Sequence, residues 1–367
     1  MFHHSGALGH LLAPHDYTSH ESFEREQRLL FADHWHFAGV LDDLPRAGSQ
    51  VAREVAGRPV LLRREGAEIG AFENVCAHRH CLIVPPGRGH AQTLRCQYHG
   101  WEYGPGGRVC HIPDAPSFGS LRMDGLGLRK LPVTTLGGLV FVRSGQPGEG
   151  LRETLGPLTG EIERYYGDHR CVWRWTTEHD VNWKVIAENA VESYHVPAAH
   201  RRTFREFRPP ELHDHTLDKR YTRYHDLKPW GSRPSELFLR AFRAALLPQP
   251  DGERFKQTHV FPNHLFYYGD AFSIFIALEP LGPARTRHVL LGFVPRRLRS
   301  PLLRPLQDLF AAAFVFGVRG VFREDMRLWS SIQRGLSASS HRGVLSAREE
   351  RVHAFQRFVR DALAQER

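Results

Sequence analysis

The sequence predicts an α+β protein, a small all-β domain followed by a larger domain in which helices cover an antiparallel sheet. From about residue 36 to 146, short runs of β-favouring residues alternate with Gly/Pro turns, as in Arg58-Pro-Val-Leu-Leu-Arg-Arg64 and Gly137-Gly-Leu-Val-Phe-Val142. Beyond residue 150, strand-like runs alternate with long helical stretches, without repeats or low-complexity segments. With 367 residues there is room for two domains, and a 41% hydrophobic share fills ordinary cores.

In chain order, residues 1–35 form an N-terminal helical segment, in which residues 19–36 carry apolar side chains at helical spacing and lead into the β domain. The all-β domain runs over 36–146, and Gly145-Gln-Pro-Gly-Glu-Gly150 makes a linker. The second domain covers 147–367. Within it Val260 to Tyr268, Ala271 to Glu279 and Arg287 to Val294 read as consecutive antiparallel strands, and Leu302 to Gln333 and Ala347 to Gln365 as helices.

Composition narrows the function classes. Five cysteines are too few and scattered for a secreted disulfide framework, and the start Met1-Phe-His-His-Ser-Gly has neither the basic residues nor the apolar run of a signal peptide. The most apolar stretch, Leu309 to Val318, is too short to span a bilayer and is interrupted by Gly317 and Arg319. A cytoplasmic protein without a membrane partner is expected. A net charge of +9 invites a nucleic-acid reading, but the basic residues are spread along the chain and are overwhelmingly Arg, with no basic run interleaved with aromatics. An acidic electron-donor protein suits the charge better than nucleic acid.

The chemistry starts at Cys76-Ala-His78, followed after seventeen residues by Cys96-Gln-Tyr-His99-Gly-Trp101. Each loop offers one thiolate and one imidazole. A C₂H₂ zinc finger keeps its cysteines together and its histidines together, whereas mixed loops suit a [2Fe–2S] cluster of Rieske type, with two Cys on one iron and two neutral His on the other. The segments Asn74-Val-Cys-Ala-His-Arg79 and Cys96-Gln-Tyr-His-Gly-Trp101 resemble the Rieske domain of the Rieske non-heme iron oxygenases. In the respiratory branch a cysteine at the offset of Cys81 forms a disulfide with one just before the second histidine; here that position is Tyr98, which resembles the oxygenase branch. Where that family usually has Gly after the Arg, this chain has His80, which puts the local loop shape in question.

A Rieske cluster passes single electrons and does no chemistry on substrate, so an acceptor site is expected. Asn182 to His200 supplies candidates. On a continuous helix Glu188, Glu192 and His195 would share a face, and Pro197 would distort the helix end enough to bring His200 beside His195. Two His and one carboxylate make the facial triad of non-heme Fe(II) oxygenases. For the carboxylate, Phe314, Val318, Val321, Leu328, Trp329 and Ile332 share a helix face with position 325, while Glu324 points about 100° away toward polar neighbours, so Asp325 is chosen.

The segment resembles the mononuclear iron motif of the terminal oxygenase α subunits, the ring-hydroxylating dioxygenases among them. That resemblance implies that Cys76, His78, Cys96 and His99 hold the cluster, and that His195, His200 and Asp325 hold iron. It also implies that Glu192 bridges to a Rieske histidine of a neighbouring subunit and that Asn189 sits beside the open iron positions. Glu rather than Asp at 192, together with the tail Ile332-Gln-Arg-Gly-Leu336, Gly343-Val-Leu-Ser346 and Phe355, looks like the choline, betaine and carnitine monooxygenases.

The implied function is that of an oxygenase component using O₂ and electrons from NAD(P)H, delivered by a ferredoxin and/or flavin reductase, to hydroxylate or oxidatively demethylate a small organic substrate. A homotrimer is expected, because in the family the working pair of metal sites forms across a subunit boundary. Cis-dihydroxylation of an aromatic ring by the same site stays open, as does a Rieske electron-transfer protein without oxygenase activity. A zinc-dependent nucleic-acid module is the reading that charge and Cys/His content alone would suggest. Phe204, Phe207, Tyr221, Tyr224, Phe261, Phe266, Tyr267, Phe272 and Phe275 line either a pocket or a core.

Overall fold

The computed structural model describes residues 2–123, 125–143, 145, 148–200, 212–227, 234–248, 250 and 255–364. Phe204, Phe207, Gln146, Pro147 and Gln365 lie outside them. The chain divides into two compact units, one of residues 32–159 and one of residues 1–31 with 160–367.

The unit of residues 32–159 is built from short strands. A four-stranded antiparallel sheet takes the order β4-β3-β2-β5, from Ser49–Val55 (β2), Arg58–Glu65 (β3), Glu68–Glu73 (β4) and Gly87–His90 (β5). Trp35–Val40 (β1) joins Val133–Leu136 (β9) and Leu139–Arg143 (β10) in a second sheet. A third small sheet holds Leu94–Arg95 (β6), Glu102–Tyr103 (β7) and Val109–His111 (β8). Gly57, Gly66, Gly137 and Gly138, all at positive φ, turn the chain between neighbouring strands. The apolar faces meet in two clusters, and Cys76 and Cys96 belong to one of them together with Phe72, Trp101 and Tyr103.

The other unit is organised on a seven-stranded antiparallel sheet. Its order is β11-β17-β16-β15-β14-β13-β12, formed by His169–His179 (β11), His213–Leu217 (β12), Tyr221–Asp226 (β13), Lys256–Val260 (β14), His264–Tyr268 (β15), Ser273–Gly282 (β16) and Arg285–Pro295 (β17). The run Val260 to Tyr268, expected as one strand, is two: Pro262 has no N–H to give a ladder, and the chain turns at Phe261–Asn263. Helices Trp183–Val191 (α2), Arg304–Ala338 (α5) and Glu350–Leu363 (α6) pack with β16 and β17 into the largest core, around Trp183, Leu265, Ile276, Leu290, Trp329 and Phe355.

The N-terminal segment differs from the continuous amphipathic helix expected over 19–36. Ser19 caps His20–Glu26 (α1), accepting from Ser22 N–H, and a wider π-type turn at Gln27–Phe31 ends the helix before Trp35 opens β1. Its buried side chains belong to the larger unit. Glu26 is fully buried; it forms an ion pair with Lys184 Nζ, itself fully buried, and accepts from Trp183 Nε1 at 2.7 Å. Leu30, Phe31 and Tyr17 join the core of that unit.

Helix α5 lies in a segment, residues 301–338, long and apolar enough to cross a membrane by length and composition, with an 18-residue window of mean hydropathy 1.3 of which 11% is buried. Gly317 and Arg319, expected to interrupt the apolar stretch, are accommodated within the helix. Its buried positions, Gln307 and Ala311 near the start and Asp325, Trp329 and Gln333 further on, are four apart within each group, while Leu328 and Ile332, expected on the inner face, are 37% and 42% exposed.

Glu188 shows how tightly the buried charges are arranged. It accepts from the Tyr17 hydroxyl at 2.6 Å and from Gln356 Nε2 at 3.1 Å, and burial lifts its carboxyl to about 7 against those hydrogen bonds and the pull of Lys184. A carboxyl raised in the folded state contributes stability fully below its unfolded value and loses it as pH rises through about 7. Glu188→Gln, which keeps both hydrogen bonds, is therefore expected to match the wild type near pH 4.5 and to exceed it by about 1–3 kcal/mol at pH 8. Unfolding midpoints of the two proteins across this range check the outcome; a difference independent of pH would contradict it.

Candidate metal centres

In the smaller unit, two loops of closely similar form carry Cys76/His78 and Cys96/His99. In each, the cysteine carbonyl accepts from the amide four residues on, His80 N at 3.1 Å and Gly100 N at 3.0 Å. Each cysteine amide also donates to a carbonyl five residues on, Cys81 O and Trp101 O, both at 2.8 Å. Closing the turn takes a residue in the left-handed region, and Gly100 (φ 73°) and His80 (φ 59°) supply it. The substitution at 80 thus keeps the loop shape, with backbone strain as its cost.

The two cysteines are 1% and 2% exposed, and none of the chain's five cysteines is in a disulfide. The Tyr103 hydroxyl lies 3.0 Å from Cys76 Sγ and accepts from Ala77 N at 2.9 Å, a contact to sulfur of the kind that adjusts a cluster's reduction potential. His99 is exposed and His78 half-buried, their ring centroids 4.6 Å apart; Trp101 stacks on His78 at 4.9 Å. Burial, with His99 and Arg79 nearby, holds the His78 imidazole below its ordinary value, and its buried Nδ1 has no hydrogen-bond partner. Two buried thiols beside two imidazoles, one half-buried and one exposed, fit a [2Fe–2S] cluster of mixed ligation. Tyr98, where a disulfide partner for Cys81 would stand, packs against His99 and takes a hydrogen bond from Arg79.

In the larger unit, α2 starts at its cap Asn182, whose side chain accepts from Lys184 N–H, and stops at Val191. Glu192 is already extended (φ −114°, ψ 163°), so the single helix expected through His195 does not form. The turn is closed by Glu192 itself, whose carboxylate accepts from the backbone N–H of Tyr194 and of His195 and pairs with His195 Nδ1. Pro197 then opens the short helix Val196–Ala199 (α3), which ends on His200. Glu188, expected on the same face, points away into the core.

His195, His200 and Asp325 converge, with one ligand atom from each lying within 4.8 Å of the others. Asp325 Oδ1 is 3.1 Å from His200 Nε2 and 3.4 Å from His195 Nε2, yet it has no partner in hydrogen-bond geometry. Both imidazoles are held from behind, His195 Nδ1 by Glu192 and His200 Nδ1 by Glu324 at 2.8 Å. Burial opposes a charged His195, but Asp325 and Glu192 outweigh it and raise the imidazole to about 9; the Asp325 carboxyl lies below its ordinary value through the same two histidines, although burial opposes this. The carboxylate oxygen and the two imidazole nitrogens form a donor set that could hold a metal ion, of the two-His, one-carboxylate kind that serves non-heme iron.

Asp325 faces the two histidines, whereas Glu324, expected to point toward polar neighbours, pairs with His200 Nδ1. Its direction, away from the triad position, is what lets it reach the far nitrogen of His200. Only the fold supplies that information, since residues 200 and 324 lie on different helices. Asn189 accepts from Trp329 Nε1 at 2.7 Å, and both line, with the triad, a cavity of about 730 Å³. Of the aromatics singled out in the sequence, Tyr224, Tyr267 and Phe272 line this cavity, whereas Phe261, Phe266 and Phe275 are core.

The ring-hydroxylating α subunit catalytic domain family matches residues 167–365, more than half of the chain, and the Rieske [2Fe–2S] domain family matches residues 34–132. The chain belongs to the Rieske oxygenase α subunits. Its relatives include the carnitine monooxygenase oxygenase subunit of Acinetobacter baumannii, 27% identical over 89% of this chain and 85% of that one. Another is the chloroplastic choline monooxygenase of Spinacia oleracea, 25% identical over 95% and 77%. Among solved structures, a quaternary ammonium Rieske monooxygenase superposes with a TM-score of 0.78 at 23% identity, over 96% of this chain and 94% of that one. Naphthalene 1,2-dioxygenase from Rhodococcus sp. shares the fold at 0.77 and 20% identity, over 97% and 95%. As an α subunit this Rieske oxygenase is the oxygenase component of a multicomponent system. It uses a [2Fe–2S] cluster, a mononuclear iron, O₂ and electrons from a separate donor to oxidise a small organic substrate.

Two substitutions test the local geometry. His80→Gly removes the left-handed strain and is expected to raise the stability of the smaller unit by about 1 kcal/mol, read by chemical denaturation of the holoprotein. Glu324→Ala frees His200 Nδ1 and is expected to weaken iron retention about 10–100-fold while leaving the visible spectrum of the cluster unchanged.

Proposed function

We propose that this oxygenase hydroxylates or oxidatively demethylates a quaternary ammonium compound. In this reading Cys76, His78, Cys96 and His99 hold the cluster in a domain of about 36–146. His195, His200 and Asp325 hold the iron in the remainder of the chain, with residues 1–31 part of the same catalytic unit. The observation that carries the assignment is the orphaned Asp325 Oδ1 facing two imidazoles whose far nitrogens are each fixed by a glutamate. The substrate class rests on the relatives named for carnitine and choline monooxygenation, which match the chain over most of its length.

When bound, the cluster supplies single electrons and the iron uses them to activate O₂. The chain's own residues do the rest. Glu192, on His195 Nδ1, fixes the imidazole and would be the carboxylate that meets a Rieske histidine of a neighbouring subunit in a homotrimer. Asn189, anchored by Trp329, borders the open side of the site and orients what binds there. Apolar walls such as Ile186, Leu265 and Ile274 exclude water. The electron donor is a ferredoxin or flavin reductase drawing on NAD(P)H, and cysteines without a disulfide among them suit a reducing cytoplasm.

Metal and acid-labile sulfide analysis decides between this reading and a zinc module. About three irons and two sulfides per chain are expected, with the rhombic signal of a reduced Rieske centre. Asp325→Ala is expected to lower the iron to about two while keeping the sulfide and to abolish substrate-dependent O₂ uptake. About one zinc ion per chain held by the four Cys/His ligands, with no sulfide, or undiminished O₂ uptake in Asp325→Ala, would overturn it.

A further inference from the structure

The cavity that holds the triad also holds a buried cation that the metal chemistry does not use. Arg351, in the first turn of α6, is 2% exposed and lines this cavity. Its Nη1 donates to Gln257 Oε1 at 2.9 Å and its Nε to Thr222 Oγ1 at 3.4 Å, but its Nη2 is buried without a hydrogen-bond partner. Burial lowers the guanidinium only to about 9, so it stays charged at neutral pH. A buried charge with an unmade hydrogen bond is costly unless something completes it.

The neighbouring carboxylates are otherwise engaged. Glu350, next in the chain, accepts from His215 Nδ1 and His4 Nδ1, both at 2.9 Å, and from the backbone of His3 and His4. Asp270 is paired with Arg243, and Asp226 has partners of its own. His213, His215 and Arg348 also line this cavity, and burial holds the His215 imidazole below its ordinary value, which leaves the Arg351 guanidinium as the buried cation there. Gln257 links Arg351 towards the iron site: its Nε2 donates to Ala190 O at 2.7 Å, on the helix that ends at Glu192, and to the Tyr267 hydroxyl at 2.9 Å. Burial keeps Tyr267 phenolic, and its hydroxyl senses both Asp325 and Arg351. Having accepted from Gln257, it retains its own proton to donate.

From this juxtaposition we infer that Arg351 Nη2 and the Tyr267 hydroxyl form an anion subsite for a substrate carboxylate, opening on the cavity that also holds His195, His200 and Asp325. The substrate is thus an organic acid, its carboxylate anchored on α6 and β15 and its oxidised carbon turned toward the metal. The inference rests on the reading that this cavity takes the substrate. It deepens that reading, because a quaternary ammonium alcohol leaves Arg351 unpaired while a quaternary ammonium acid completes it. The guanidinium fork suits a planar carboxylate, and charged hydrogen bonds separate acid from neutral analogue.

The test is anaerobic calorimetric titration of the holoenzyme with two matched pairs, glycine betaine against choline and 4-phenylbutyrate against its amide, the neutral partner being the one in which an uncharged hydroxymethyl or amide group replaces the carboxylate. For a pair that binds, the acid is expected to bind at least about tenfold tighter than its neutral partner. Arg351→Gln is expected to bring that ratio within about threefold, and Tyr267→Phe to weaken the acid about threefold or more with the neutral partner unchanged. Should Arg351→Gln fail to assemble, the Tyr267→Phe result decides. If only the phenylbutyrate pair binds and discriminates, the quaternary ammonium reading fails and the anion subsite stands. If acids bind no tighter than neutral partners, if the variants keep full discrimination, or if no acid binds, the anion subsite is overturned.

Discussion

The catalytic unit depends on one kind of contact, an imidazole pinned at its far nitrogen by a glutamate. His195 and His200 are short of regular secondary structure, at the cap of a four-residue helix and at its end. Left to the backbone, their rings would sample several rotamers. Glu192 fixes one ring and the local turn together, since the same carboxylate accepts from the amides of Tyr194 and His195. Glu324 fixes the other from a different helix, and Asp325 beside it faces both. The long helix α5 is thus more than a cover for the sheet, because consecutive residues on it perform two tasks on one centre.

Much of this was legible in the chain itself, and the reason is spacing. Metal ligands must be a particular residue type at a particular offset, so Cys76/His78 and Cys96/His99 stand out without any fold, and the strand-and-turn rhythm around them follows from Gly and β-branched residues. What the sequence did not disclose depends on long-range contacts. The helix over 182–195 was expected to continue because its residues favour helix; it stops because Glu192 gains more from three local donors than from one more helical turn. Glu188 had the right offset for the triad face, yet Tyr17 and Gln356, far away in sequence, claim it.

The same limit applies to the cavity. An aromatic in a strand looks alike whether it faces core or pocket, so Tyr224, Tyr267 and Phe272 could not be separated from Phe261, Phe266 and Phe275 beforehand. Arg351 gave no sequence signal at all, being one arginine among many. Its burial with an open valence on Nη2 becomes visible only when α6 is laid against β13 and β14.

The paired loops of the smaller unit carry a kinetic implication. Since Cys76 and Cys96 are sealed at 1% and 2% exposure, the sulfur end of the cluster has no door, and His99 with His78 forms the threshold. With a cluster bound between these loops, as proposed, charge would enter and leave across one small imidazole edge, and the protein that loads it would have to step aside before it could be unloaded there. Turnover would then be a relay through a single gate, slowed by a donor that clings too tightly.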